Sequence, residues 1–212
     1  MTEQNQQMLE SNNNRASFKI KSDEVTYICG KRQTGKSYML EHIAKGFPKY
    51  VIYDGATHQH QNMGVVVRKI EEFIAELDKG TPHIVCQPYT DGQEIFDKYC
   101  KEIWKRGNMV LMIEELGNYC DSFSASEYFD MITRVGRNRG IGIIALNQRP
   151  SRIWNNFVGL IEHWIIFRTE LPRDLKFLEE YIGEQRAESL KALPKRYFYY
   201  KNEEGTILCN PI

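Results

Sequence analysis

The chain is 212 residues long, with 28 basic and 28 acidic side chains and a formal net charge of zero. That length supports one substantial α/β domain or at most two small ones, and a content of 42% hydrophobic and 26% charged residues excludes wholesale disorder. No run approaches the roughly 18 apolar residues of a membrane span, and the neutral balance excludes a polycation while leaving a local basic surface open.

Residues 1–16 are polar and Gln/Asn-rich, which predicts a flexible N-terminal arm. The opening MTEQNQQMLESNNNR lacks the basic and apolar segments of a signal peptide, so the expected setting is cytosolic and soluble. From Phe18 onward, short apolar runs alternate with helical patterns. That alternation predicts βαβ units, a mostly parallel central sheet flanked by helices, and one domain over 17–212.

A first strand is expected near 25–30 (VTYICG), and it runs into Gly30-Lys31-Arg32-Gln33-Thr34-Gly35-Lys36-Ser37. This segment fits G-x-x-x-x-G-K-[ST] at every fixed position, and a helix carrying Tyr38, Met39, Ile43 and Ala44 follows. Glycines let the backbone curl so that successive N–H groups face one point, and the helix start adds partial positive charge there. Gly30, Lys31, Arg32, Gln33, Thr34, Gly35, Lys36, Ser37 and Tyr38 are therefore the candidate nucleotide-binding residues. Lys36 is expected at the β- and γ-phosphates and Ser37 at Mg²⁺.

A second strand is expected at 50–54 (YVIYD), where Asp54 is read either as a turn residue or as a neighbour of the nucleotide. His58 and His60 follow at i, i+2 spacing without a Cys or acid nearby to complete a metal set, so a polar loop is favoured over a metal site. A strand at 83–87 (HIVCQ) precedes a helix with Ile95, Tyr99 and Ile103 on one face. The next run, Asn108 to Ile113, ends in Glu114-Glu115. Adjacent residues leave a strand end on different sides, so Glu114 is assigned to the metal and Glu115 to the attacking water. Asp is commoner than Glu at such a metal position, and the bland reading makes both acids solvated strand-end charges.

Ser124-Ala-Ser-Glu127 has capping-box spacing before a helix with Tyr128, Ile132 and Val135 on one face. From Arg134 to Arg152 the sequence reads RVGRNRGIGIIALNQRPSR, with five arginines and no acid. Its middle, 141–147, is a predicted strand, so Arg137 and Arg139 precede the strand while Gln148 and Arg149 follow it. Gln148 is placed to contact a γ-phosphate or the water. An arginine projecting from one subunit is able to complete a neighbour's site or to hold DNA phosphates. The alternative is a solvated patch, or arginines paired with acids such as those in 71–78. A strand near 163–168, a helical face of Leu175, Leu178 and Ile182, and a terminal hairpin of RYFYYKN and TILCN around Glu203, Glu204 and Gly205 complete the chain. Tyr197 to Tyr200 reads as a buried strand rather than a stacking platform. The five cysteines, Cys29, Cys86, Cys100, Cys120 and Cys209, form no C-x-x-C pair and read as reduced core residues.

Three motifs in this order, GKRQTGKS, VLMIEE and GRNRGIGIIALNQRP, resemble the HerA/FtsK superfamily of DNA-translocating ATPases. Within it the chain is similar to the small genome-packaging ATPases of tailless icosahedral viruses with internal membranes, over roughly residues 25–212. HWIIFRTELPRDLKFLEEYIG and the terminal strands add to the likeness. The resemblance implies a RecA-like P-loop sheet, ATP with Mg²⁺, and a homo-oligomeric ring, commonly a hexamer, that threads double-stranded DNA. It also implies capsid or internal-membrane vertex proteins as partners, and a place in the host cytoplasm at the packaging vertex. Lys36 and Ser37 then bind phosphate and metal, Glu114 and Glu115 form the Walker B pair, and Gln148 takes the sensor position. Arg137 is the first choice for an arginine acting in trans, with Arg139 and Arg149 behind it. Glu at 114 and Asn147, where small hydroxyl residues are common, depart from the pattern, and the first bears on the metal contact. The stretch Gly117–Ser122 is a candidate loop facing a pore and DNA, though it has no Lys or Arg. Competing readings are a cellular DNA translocase of conjugation or chromosome segregation, a small-molecule P-loop phosphotransferase indifferent to DNA, and a non-hydrolytic assembly protein of the virion.

Overall fold

The apolar runs become the strands of one nine-stranded sheet in the order β3-β4-β2-β5-β6-β1-β7-β8-β9. The computed structural model describes residues 19–211, so the arm expected over 1–16 lies outside them. In chain order the strands are β1 (Val25–Cys29), β2 (Tyr50–Tyr53), β3 (Val65–Val67), β4 (His83–Cys86), β5 (Met109–Ile113), β6 (Ile141–Asn147), β7 (His163–Phe167), β8 (Phe198–Asn202) and β9 (Gly205–Cys209). The helices are α1 (Lys36–Ala44), α2 (Ile70–Asp78), α3 (Gln93–Arg106), α4 (Glu127–Val135), α5 (Asn155–Val158), α6 (Pro172–Ile182) and α7 (Glu184–Ser189). All pairings from β3 to β7 are parallel; β8 and β9 are antiparallel, with Asn202 opposite Gly205 across the turn Glu203-Glu204.

Strands β2, β5, β6 and β7 are buried along their whole length, as expected of parallel strands covered on both faces. Side-chain alternation divides their residues between two cores. Tyr27, Cys29, Leu111 and Ile113 face α2 to α7, while Ile28, Val110 and Met112 face α1. Among the described helices, α1 supplies the cover of that second face, through Met39, Leu40, Ile43 and Ala44. The helix that follows the glycine-rich loop is thus clamped across the middle of the sheet. All five cysteines are free and buried.

Three expectations are corrected, and one strand is added. β3 was not anticipated: three valines at the sheet edge, one of them exposed, give too short a run to read as a strand. The capping box at Ser124–Glu127 does not form. Ser126 is the residue before α4, Ser124 bonds instead to Asp121, and Asp97 of α3 accepts the Tyr128 N–H at 2.8 Å. Val135 is 43% exposed, and Phe129 takes its expected place in the core. The Gly117–Ser122 segment is only partly a surface loop, because Tyr119 and Cys120 are buried and Tyr119 donates to Asp91 at 2.8 Å. The exposed tip comes after it, at Phe123.

Candidate active site

The parallel strands all end at one edge of the sheet, which collects Gly30 after β1, Asp54 after β2, Gln87 after β4, Glu114 after β5, Gln148 after β6 and Arg168 after β7. Ligand sites of open α/β sheets form outside such carboxyl ends. Gly30 opens the loop at φ +138°, with its N–H on the Asn147 carbonyl at 3.3 Å, and the Lys31 N–H reaches the Arg168 carbonyl at 2.8 Å. A Cβ at Gly30 would lie 2.7 Å from the Phe167 Cβ and 3.0 Å from its backbone, so this crossing over β7 needs glycine. Gln33 at φ 61° and Gly35 at φ 120° continue the curl, and the Met39 N–H on the Gly35 carbonyl starts α1.

Lys36 is buried, and its Nζ donates to the Lys31 carbonyl at 3.0 Å, so the loop closes around its own lysine. Thr34 Oγ1 donates to the same carbonyl at 2.7 Å. Burial lowers the Lys36 pKa below the usual lysine value, and the negative charges of Glu115 and Glu114 oppose that shift.

The two acids take different partners. Strand β6 lies between β1 and β5, a gap of about 10 Å between strand ends. Glu114 crosses it: Ser37 Oγ donates to Glu114 Oε1 at 2.8 Å. The glutamate at this position therefore reaches the loop serine directly. Glu115 sits in the left-handed region at φ 55°, a conformation costing a non-glycine residue roughly 1–3 kcal/mol. That turn aims its carboxylate at Gln148, whose Nε2 donates to Oε1 at 2.6 Å and whose backbone N–H donates to Oε2 at 3.2 Å. Arg32 Nε donates to Gln148 Oε1 at 2.7 Å. One line of contacts thus joins the loop, Gln148 and Glu115.

The candidate trans-acting arginines, Arg137, Arg139 and Arg149, take other partners. Arg137 precedes β6, at the opposite edge of the sheet, and pairs with Glu162 at 2.6 Å and Asp23 at 3.6 Å. Arg139 donates to the carbonyls of Trp104 and Lys105 and lies over the Trp104 ring. Arg149 donates to the fully buried Asp174 at 2.8 Å. The acids facing this stretch come from other elements than 71–78. Asn147 donates to the Arg149 and Arg152 carbonyls and shapes the turn after β6.

Asp54 is a turn residue: fully buried, it accepts from Thr57, His58, His60 and Gln87. His58 is exposed, as a polar loop requires, whereas His60 is fully buried with Nε2 2.8 Å from Glu114 Oε1 and Nδ1 3.1 Å from Glu41 Oε1. Burial opposes a charge on His60, but the hydrogen bond to Glu114, with Asp54 and Glu41 behind it, raises its pKa above the usual imidazole value. Arg196, at φ 70°, places its N–H on the Thr34 carbonyl at 3.1 Å and its guanidinium 5.3 Å from the ring centre of half-exposed Tyr38. No spacing in the sequence links Arg196 or His60 to the loop; packing brings both there.

A serine hydroxyl and a carboxylate are hard oxygen donors, and Mg²⁺ is commonly held by one or two carboxylates together with substrate phosphates. The Ser37–Glu114 pair beside the curled loop fits that group. Among the described residues no cluster of three or more His, Cys, Asp and Glu forms a metal cage.

The chain matches no protein-family model and no curated protein sequence. Solved structures do match. The genome packaging NTPase B204 from Sulfolobus turreted icosahedral virus 2, in complex with ATP-γ-S, superposes with a TM-score of 0.77 at 20% identity, covering 91% of this chain and 100% of that one. B204, the DNA-packaging ATPase from Sulfolobus turreted icosahedral virus, gives 0.72 at 22% identity over 91% and 100% of the two chains. VirB4 of Thermoanaerobacter pseudethanolicus gives 0.67 at 9% identity over 92% and 91%. The chain has the P-loop NTPase fold of these proteins, with a mostly parallel sheet and an antiparallel C-terminal pair.

Proposed function

We propose that this chain is an ATP-hydrolysing motor subunit that moves viral double-stranded DNA into a preformed capsid. The observation that carries the reading is the convergence of Lys36, Ser37, Glu114, Glu115 and Gln148 on one sheet edge. The likeness in fold to a genome packaging NTPase in complex with ATP-γ-S supports it.

Each residue has a part in hydrolysis. Backbone N–H groups of the loop beyond Lys31 and the Lys36 ammonium bind the phosphates of ATP and neutralise charge that grows on them. Ser37 and Glu114 would hold Mg²⁺, which supplies Lewis-acid polarisation of the phosphate oxygens. Glu115 takes a proton from water as the water oxygen bonds to the γ-phosphorus and the bond to ADP breaks. Gln148 holds the Glu115 carboxylate and so aims the base. In this reading Arg137, which stands at the far edge of its own sheet and pairs with Glu162 and Asp23, leaves those acids to serve a neighbouring subunit's site. The proposal includes a ring, commonly six subunits in such motors, with DNA in its pore, docked at a capsid or internal-membrane vertex in the host cytoplasm. Among the described residues no helix is long and apolar enough to cross a membrane.

The test is phosphate release with and without duplex DNA. Wild type is expected to hydrolyse ATP faster with DNA, and Glu115→Gln to bind nucleotide but turn over about 10²–10⁴-fold more slowly. Absence of wild-type hydrolysis sinks the motor; hydrolysis without any DNA binding favours a small-molecule phosphotransferase.

A further inference from the structure

The loop joining β2 to β3 brings one more side chain to the edge of the site. His60 is fully buried, and its backbone N–H is tied to Asp54 Oδ2 at 3.2 Å. Asp54 is itself fully buried and fixed by Thr57, His58 and Gln87, so the histidine starts from a rigid base. Its ring spans two elements: Nε2 lies 2.8 Å from Glu114 Oε1, after β5, and Nδ1 lies 3.1 Å from Glu41 Oε1, in α1. Glu41 is one helical turn beyond Ser37, on the same face of α1. Ser37 Oγ and His60 Nε2 meet the same carboxylate oxygen of Glu114.

We propose that His60 is a positioning residue for the cation site, holding the Glu114 carboxylate against Ser37 and thereby setting the affinity for the divalent ion bound with the nucleotide. This rests on the nucleotide-binding reading above. A glutamate has one more rotatable bond than an aspartate, and orienting it costs side-chain entropy. The ring, anchored through Asp54, removes that freedom before any ion arrives. Groups that orient a metal ligand commonly change affinity about 10- to 100-fold when removed.

Two substitutions separate positioning from simple core filling. The amide nitrogen of Gln stands near the place of Nε2 and that of Asn near Nδ1. His60→Gln therefore keeps the donor to Glu114, and His60→Asn keeps only the donor to Glu41. Mn²⁺ affinity in the presence of ATP-γ-S is read by electron paramagnetic resonance, nucleotide affinity in EDTA by fluorescence of a labelled analogue, and folding by thermal unfolding. The expected result is Mn²⁺ binding within about 3-fold of wild type for His60→Gln and weakened about 10-fold or more for His60→Asn. Nucleotide affinity in EDTA is expected to be unchanged in both. Equal Mn²⁺ affinities in both variants, or losses that simply follow their thermal destabilisation, overturn the assignment while wild-type nucleotide binding stands. A wild-type protein that binds neither nucleotide nor Mn²⁺ overturns the nucleotide reading and this inference with it.

Discussion

At the scale of the residue, the site depends on positions where no other side chain meets the local geometry. Gly30 is the sharpest case, because a Cβ there meets Phe167 at 2.7 Å while the backbone holds φ at +138°. Gly30→Ala is expected to cost about 1–3 kcal/mol of stability from the conformation alone, to move the loop off β7, and to lose nucleotide binding; denaturant unfolding and a nucleotide titration check both. Glu115 shows the same economy in reverse. A non-glycine residue accepts a left-handed conformation at the end of β5, and that turn directs its carboxylate to Gln148 rather than to Ser37. Adjacent acids in the sequence gave the expectation of two roles, and the dihedral angle is what separates them.

Among elements, the legible ones were those whose pattern repeats long enough to be read. The buried runs of β2, β5 and β6 follow from continuous apolar stretches covered on both faces, and the one-sided face of α3 from four-residue spacing. The edge strand β3 does not, being a three-residue run with one valine exposed, and the start of α4 does not, since its partner Asp97 lies 31 positions from Tyr128. The edge opposite the site is pinned by a similar distant set. Glu24, just before β1, and Tyr200 of β8 both contact His163 at the start of β7, at 2.9 and 2.7 Å. Burial alone raises the Glu24 carboxyl pKa, but the Lys21 N–H and His163 outweigh it and hold it below the usual glutamate range. A carboxylate with a depressed folded pKa stabilises fully above its unfolded pKa, and that contribution is lost as pH falls through the folded value. Acid unfolding of wild type is therefore expected to steepen below the ordinary glutamate range. Glu24→Gln is expected to flatten that part of the pH–stability curve; a curve identical to wild type contradicts the role given to Glu24.

The whole molecule has zero net charge, and most arginines between 134 and 152 are engaged by acids or carbonyls of the same chain. DNA held by such a subunit must be held by a local surface, so affinity for duplex DNA is expected to fall steeply with salt. Rings in electron micrographs with an ATP analogue and DNA, and their loss in Arg137→Ala, are the outcomes expected of shared sites. A particle that stays monomeric under every condition contradicts the motor.

The loop Gly30–Ser37, the acidic pair Glu114-Glu115, the strand carrying Gln148 and the mostly parallel sheet are legible in the residues alone. These rest on consecutive residues and regular spacing, which hold before any long-range contact is known. What surrounds them is set by packing: Glu114 bridges Ser37 and His60, Arg196 stands beside Tyr38, and Arg137, Arg139 and Arg149 are tied to other partners. The difference is one of range. A phosphate loop is built by local backbone torsion, whereas the partner of a charge or of an imidazole is chosen by which elements the sheet order brings to the same edge.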